Sequence, residues 1–391
     1  MALTPWVSQA WYIDYCVSKG LVVEYWDLRL MFLGDKRQRC LLDKDPQKEH
    51  LPKLVGDQSP RLTLIRSYEH LQQLINERQN HNVLYVMLLT YSWRFVSPFV
   101  LLSKYSQRMI FIDVGDMPIN PTGVAKKSGQ LRRLLSSPLK KGWSYITNQL
   151  PNYYRKLGVV KPYELVFTVN PAPSKFLTIA KKTVGINLRD YDQYKRFQNN
   201  EKIFSYKYAV FIDQNLPEHP DLELLKLKRL NLDEYYGALD RFFEQIKQLF
   251  KLDIVVATHP TNNRAWTKSA SRATYAGITE GLIKDAEFVI AHTSTAISYA
   301  VLNMKPIVFI YTEQMKVLYK NTIIQQIRAI AKYLGTDTYN INQLNELERL
   351  TVAEPILHNY EKYKYQYLTN TESENKYSDE IFFSELVKLF Q

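Results

Sequence analysis

Glycine is scarce in this sequence, at 13 of 391 residues. A chain so poor in glycine is not expected to hold ligands in glycine-rich phosphate loops, and neither G-x-x-x-x-G-K-[ST] nor G-x-G-x-x-G occurs in it. Cysteine is nearly absent. Cys16 and Cys40 are the two present, and neither has a C-x-x-C partner, which excludes a zinc ribbon or a disulfide framework and fits a reducing cytoplasm. Between Met1 and Trp11 no basic segment leads into an apolar one, so no signal peptide is expected. Long apolar runs are lacking too. The most apolar window, Val83 to Leu102, is broken by Arg94 and Pro98 and by Thr90, Ser92 and Ser97, and reads as a buried strand followed by a helix, not a membrane span. The last deficit is of negative charge: Met117 to Tyr163 contains no Asp or Glu.

What is present is ordinary for a globular enzyme, with 46% hydrophobic and 23% charged residues, which excludes a disordered or fibrous chain. The length implies two or three domains, at about 100–200 residues each. The formal net charge is +12. Most of it comes from the acid-free stretch, through Lys126, Lys127, Arg132, Arg133, Lys140, Lys141, Arg155, Lys156 and Lys161. Leu131, Leu134, Leu135, Leu139, Trp143, Tyr145, Ile146, Leu150, Tyr153 and Tyr154 lie between these cations. Basic residues interleaved with Leu, Trp and Tyr make up an interfacial segment on an anionic membrane. A solvated basic loop and helix is the plainer alternative. Nucleic acid is not expected as a partner, since the sequence has no zinc finger, RNP-type aromatic motif or K/R-G-rich tail.

Strand-like and helix-like runs alternate along the chain. Leu21–Trp26, Leu62–Arg66, Val83–Leu89, Met109–Val114, Leu165–Val169 and Thr183–Ile186 read as strands of a parallel sheet buried on both faces. Trp11–Lys19 and Tyr68–Gln79 read as helices, the first so close to the start that an opening strand is missing or reduced to Ala2–Leu3. Arg189–Tyr206 is polar and charged and reads as a linker. A second unit follows, with strands Tyr208–Ile212, Asp253–Ala257, Phe288–Ala291 and Lys305–Tyr311 and helices Leu232–Leu249 and Thr295–Asn303. The expected architecture is α/β, with two Rossmann-like doubly wound domains facing a cleft. Residues 1–200 would form the first, with the basic insertion at 117–163. Residues 207–335 would form the second, and 336–391 a helical tail packing back on the cleft.

Three polar loops follow strands of the second unit: Asp213-Gln214-Asn215, Thr258-His259-Pro260, and His292-Thr293-Ser294-Thr295. Each sits at the carboxyl end of a parallel strand, where ligands bind. Thr293, Ser294 and Thr295 would lie at a helix N-terminus, where hydroxyls and unpaired N–H groups hold an anion without glycine. His259 could donate to another phosphate oxygen or protonate a leaving phosphate. Singly, each has a plainer use: a helix cap for Thr293 or Ser294, a strand end for His259-Pro260, a satisfied core histidine for His292.

The run from strand-His-Pro, through a strand ending in Ser and Thr and a small-residue helix, to Lys305-Pro306-Ile307-Val308-Phe309-Ile310 resembles the donor half of GT-B glycosyltransferases. Bacterial sialyl-, polysialyl- and Kdo-type transferases of capsule, O-antigen or lipooligosaccharide synthesis, which use CMP-activated acids, are the most similar. The CDP-glycerol glycerophosphotransferases of teichoic acid synthesis share the His-Pro and Ser-Ser pattern. The resemblance covers Tyr208–Tyr311. It implies that His259, Thr293, Ser294 and Thr295 contact the donor phosphate; Asn215, His219 and Pro260, in the same loops, complete the expected donor site, with no metal and no cofactor beyond the nucleotide-sugar substrate expected. The paired acidic motif with Gly that sialyltransferases carry in their first domain is not present in clean form. The base is therefore argued from the residues: Asp116, past a strand end and beside the basic segment, is the first candidate, and Asp113 reads as a turn cap. Asp213 is the rival, as a nucleophile if configuration is retained. Glu218 and His219 either touch the donor or belong to a solvated loop. Asp190-Tyr191-Asp192 matches the D-x-D that holds metal in GT-A enzymes, but beside Arg189 and Lys195 in the expected linker it reads as a surface charge cluster.

The expected activity is transfer of a CMP-activated acidic sugar to a bacterial surface glycan or lipid-linked acceptor, at the cytoplasmic face of the cell membrane. The alternatives are a UDP- or CDP-linked donor carrying a hexose or glycerol phosphate, or a non-catalytic ligand-binding component of a polysaccharide assembly complex.

Overall fold

A computed structural model describes residues 3–33, 60–113, 150–170, 179–219, 222, 227–259, 272–320, 322–343 and 348–391. The first candidate base Asp116, the basic cluster Lys126, Lys127, Arg132, Arg133, Lys140, Lys141 with Trp143, and Pro260 lie outside the described residues. The chain divides into two units. Among the described residues, unit 1 takes those up to Asn187 together with 370–391, and unit 2 takes 188–369.

Unit 1 opens on helices, Pro5–Ala10 and Ile13–Ser18. Thr4 caps the first by accepting the Val7 N–H at 3.2 Å. Strands β1 (Glu24–Asp27) and β2 (Arg61–Leu64) pair in parallel as a two-stranded sheet. Strands β3 (Leu84–Met87), β4 (Arg108–Ile112), β5 (Tyr163–Thr168) and β6 (Ala180–Gly185) form a second parallel sheet in that order. Side chains along β4 alternate between its two faces. Met109 packs with Phe99 and Leu102 of the helix Val96–Lys104, while Ile110 and Ile112 face Cys16, Phe382 and Leu386.

The last two of those residues come from the helix Ser378–Phe390. The expected tail is thus not a separate element, because its final helix is part of the core of unit 1. Phe382 is 2% exposed, with its ring centroid 4.9 Å from that of Phe167 and 5.3 Å from that of Tyr12. Asn370 anchors the returning chain. Its amide donates to Val169 O at 2.8 Å, and its Oδ1 accepts the N–H groups of Glu372 and Ser373 at 3.1 Å.

Unit 2 holds a six-stranded parallel sheet. Its strands are β7 (Tyr208–Ile212), β8 (Asp253–Thr258), β9 (Thr274–Ala276), β10 (Val289–Ala291), β11 (Ile307–Tyr311) and β12 (Thr338–Asn340), ordered β12-β11-β10-β7-β8-β9. Every residue of β7 and β11 is buried, as a sheet covered on both faces requires. The helix Leu232–Phe250 covers part of it with Tyr235, Ala238, Leu239, Phe242, Phe243 and Ile246, spaced three and four apart. Asn231 caps this helix by accepting the Glu234 N–H at 3.0 Å.

The segment expected to be a linker is instead the helix Arg189–Phe197, which buries Tyr191 and Asp192. Asp190 and Asp192 stand two apart on that helix and so do not share a face. Asp192 is buried, so the pair does not form a surface charge cluster; Asp190 is half-buried, and burial pushes its carboxyl up to about 6 against the pull of Arg189.

Candidate functional site at the carboxyl edge of unit 2

The order of this sheet reverses at β7. The chain runs outward through β8 and β9, then returns to the other side of β7 for β10, β11 and β12. A crevice opens outside the carboxyl ends of the strands at such a reversal. Here the strand ends at the reversal are those of β7, with Asp213, Gln214 and Asn215, and of β10, with His292, Thr293 and Ser294.

Gln214 bridges these ends. Its Oε1 accepts the Thr293 N–H at 2.8 Å, and its Nε2 donates to Thr293 Oγ1 at 3.4 Å. Sequence reading gave Gln214 no role, and the signal was its position, first after a strand-end aspartate in a loop already singled out. Asp213 is 2% exposed. Its backbone N–H donates to Ala257 O at 2.9 Å, and its Oδ1 accepts the Asn215 N–H at 2.9 Å. This side-chain turn holds Asn215 in the left-handed region, at φ 48°. A carboxylate buried and bonded in this way shapes the loop. Asn215 is itself buried, and among the described residues its Oδ1 has no hydrogen-bond partner. Buried polar atoms are paired in most proteins, and an orphan beside a ligand crevice is a candidate contact.

His219 and His259 come together across the next strand pair. Their ring centroids are 5.5 Å apart, at 65°. Both are half-buried. Burial holds His259 below the ordinary imidazole value. The neighbouring His219 acts in the same direction, and Asp213 opposes them. These influences together favour the neutral imidazole. His292 differs. It is fully buried, its Nδ1 is 2.7 Å from Ile310 O, and its Nε2 is 2.8 Å from the Tyr235 hydroxyl. A carbonyl only accepts, so Nδ1 carries the proton and Nε2 accepts from Tyr235. Burial lowers His292 to about 4, and it is a satisfied core histidine.

The hydroxyl loop sits slightly before its helix. That helix runs Ile297–Leu302, beginning after Thr295 rather than at it, and six residues carry little macrodipole. Ser294 Oγ accepts the Ala296 N–H at 3.2 Å, leaving the Ser294 proton to donate. Thr295 is exposed. The polar rim continues beyond β11 and β12, where Asn340 donates to Glu313 Oε2 at 2.5 Å. Glu218 closes a short 3-10 turn, Leu216–Glu218, just before His219. In unit 1, Asp113 accepts from the Thr168 hydroxyl at 3.2 Å, consistent with a structural turn residue. Among the described residues, no three His, Cys, Asp or Glu side chains gather to hold a metal ion, and no helix is long and apolar enough to cross a membrane.

No family model matches the sequence, and no curated protein matches it. Among solved structures, the glycotransferase of kitacinnamycin is similar at a TM-score of 0.49 and 10% identity, covering 97% of this chain and 94% of that one. CalG4, the calicheamicin glycosyltransferase, is similar at 0.46 and 10%, covering 83% and 78%. UDP-GlcNAc 2-epimerase from Methanocaldococcus jannaschii is similar at 0.44 and 11%, covering 84% and 86%.

Proposed function

We propose that this chain is a glycosyltransferase whose nucleotide donor binds at the carboxyl edge of the unit 2 sheet. The observation that carries this reading is the strand-order reversal at β7, flanked by the Gln214–Thr293 bridge on one side and the His219–His259 pair on the other. Such a crevice suits a nucleoside phosphate. The hydroxyls of Thr293 and Ser294 and the ring N–H of His259 are donors for its phosphate oxygens. In the transfer, an acceptor hydroxyl attacks the anomeric carbon, the bond from that carbon to the phosphate oxygen breaks, and the nucleotide leaves with the electron pair. The same donors stabilise the charge that grows on the leaving phosphate. Asp213 is a positioning residue, holding the Asn215 turn. Asp116 remains the proposed base. A CMP-activated acidic sugar is the first donor class, with UDP- and CDP-linked donors next, and a surface glycan is the acceptor. No metal is required in this scheme.

A thermal-shift screen with CMP, CDP, UDP and GDP tests the reading, because a ligand that binds the folded state raises Tm by mass action. One nucleotide should stand out, and its shift should vanish in His259→Ala, with transfer falling roughly 10- to 100-fold for one lost charge-assisted hydrogen bond. A bound phosphate reverses the balance on His259 and raises its affinity for a proton, so nucleotide binding should tighten as pH falls from neutrality. If no nucleotide shifts Tm and no transfer is detected with the sugar donors, the chain is not a transferase.

A further inference from the structure

Unit 1 carries a second surface that the sugar chemistry does not use. The chain at 150–156 is helical, and Leu157 and Gly158 end it, the latter at φ +71°. This segment is fixed to the loop after β3. Tyr91 donates to Pro151 O at 2.6 Å, and the Arg155 guanidinium lies 3.8 Å from the Tyr91 ring centroid and 4.9 Å from that of Tyr163. Trp93 stands against Tyr154, with centroids 6.4 Å apart.

Besides Asn152, the outward side chains here are apolar or basic. Leu157 is 74% exposed and Tyr153 57%, with Trp93 and Val159 exposed beside them. Lys156 lies 5.9 Å over the Tyr153 ring, and Lys161 reaches Ser106 Oγ at 2.9 Å. Along the chain, acids are few here. Asp113 and Asp116 are the only acids between Arg78 and Tyr163, and the next one, Glu164, is paired with Lys181 at 2.8 Å.

We infer that this face docks on a bilayer containing anionic lipid. Exposed aliphatic side chains gain by entering hydrocarbon, while Trp and Tyr suit the interface and Lys the headgroup charge. A nucleic acid would answer the cations but has nothing to offer Leu157 and Val159. A protein partner would need to be acidic and apolar together. The inference rests on the described end of the acid-free stretch, 150–161, with Trp93 beside it, and does not depend on the sugar-transfer reading.

The test is co-sedimentation of the full chain with phosphatidylcholine vesicles, with and without phosphatidylglycerol. The protein should pellet with the anionic vesicles alone. Lys156→Ser with Lys161→Ser should weaken partitioning about fivefold for each cation removed. Leu157→Ser with Val159→Ser keeps the charge and should weaken it roughly tenfold or more, a loss that persists at high salt. Both double variants alter exposed side chains and should keep the native Tm. Native binding by both double variants would overturn the inference, since the contact would then lie elsewhere. Two further results would do the same: an RNA oligomer that binds more tightly than the vesicles, or a change in oligomeric state caused by Leu157→Ser with Val159→Ser.

Discussion

Acidification should destabilise unit 2 through His292. The side chain is fully buried, both ring nitrogens are engaged, and burial lowers it from 6.5 to about 4. Above pH 6.5 the ring is neutral whether the chain is folded or not, so it adds no pH dependence there. Between pH 6.5 and 4 the unfolded chain binds a proton that the folded one refuses, and stability falls as pH falls. At about 1.4 kcal/mol per unit of displacement, the full loss is about 3 kcal/mol by pH 4. That is a large share of a typical total of about 5–15 kcal/mol. Urea unfolding across this range, compared with His292→Gln at each pH, isolates the contribution, because the difference between the two proteins should shrink as pH drops. Nitrogen NMR of the imidazoles should show His292 as the Nδ1–H tautomer, with no protonation down to about pH 5. A His292 that titrates near 6.5, an Nε2–H tautomer, or a native-to-variant difference that does not change with pH would refute the reasoning.

Two further substitutions test how unit 1 is closed. Phe382→Ala opens a cavity between the last helix, Phe167 and Tyr12, and should cost about 3–5 kcal/mol, read as a lower denaturation midpoint. Gly185→Ala places a methyl group 2.7 Å from Asn370 Nδ2, on a side chain tied down by its own hydrogen bonds; the expected cost is about 1–3 kcal/mol, partly relieved by Asn370→Ala.

Much of unit 2 was legible because its signals are local. Tyr208–Ile212 is a continuous apolar run bounded by polar residues, and it matches β7 end to end. Leu232–Phe250 announces itself by three-and-four spacing behind a capping Asn. The helix Arg189–Phe197 was misread because tyrosine carries its buried face, so its overall composition is that of a linker. The strands β9 (Thr-Tyr-Ala) and β12 (Thr-Tyr-Asn) have three residues each and lack the apolar run that marks β10, equally short. The polar loops could be found from strand ends alone, but their partners could not. That Gln214 reaches Thr293, that Asp213 is spent on a turn, and that His292 is sealed by Tyr235 are contacts across 57 to 79 residues of sequence or within a turn whose geometry no pattern encodes. The destination of the last helix is similarly invisible, since its apolar face fits any sheet.

That helix also sets an order of events during synthesis. The chain leaves unit 1 at Asn187 and does not return until Asn370. All of unit 2 has therefore emerged from the ribosome before Phe382 and Leu386 arrive to cover Ile110, Ile112, Leu165 and Phe167. Until then the four-stranded sheet of unit 1 waits with part of one apolar face unsealed, a surface that chaperones bind and that aggregates recruit. A message truncated shortly after codon 369 would yield a chain with every proposed donor-site residue present, yet with unit 1 left open.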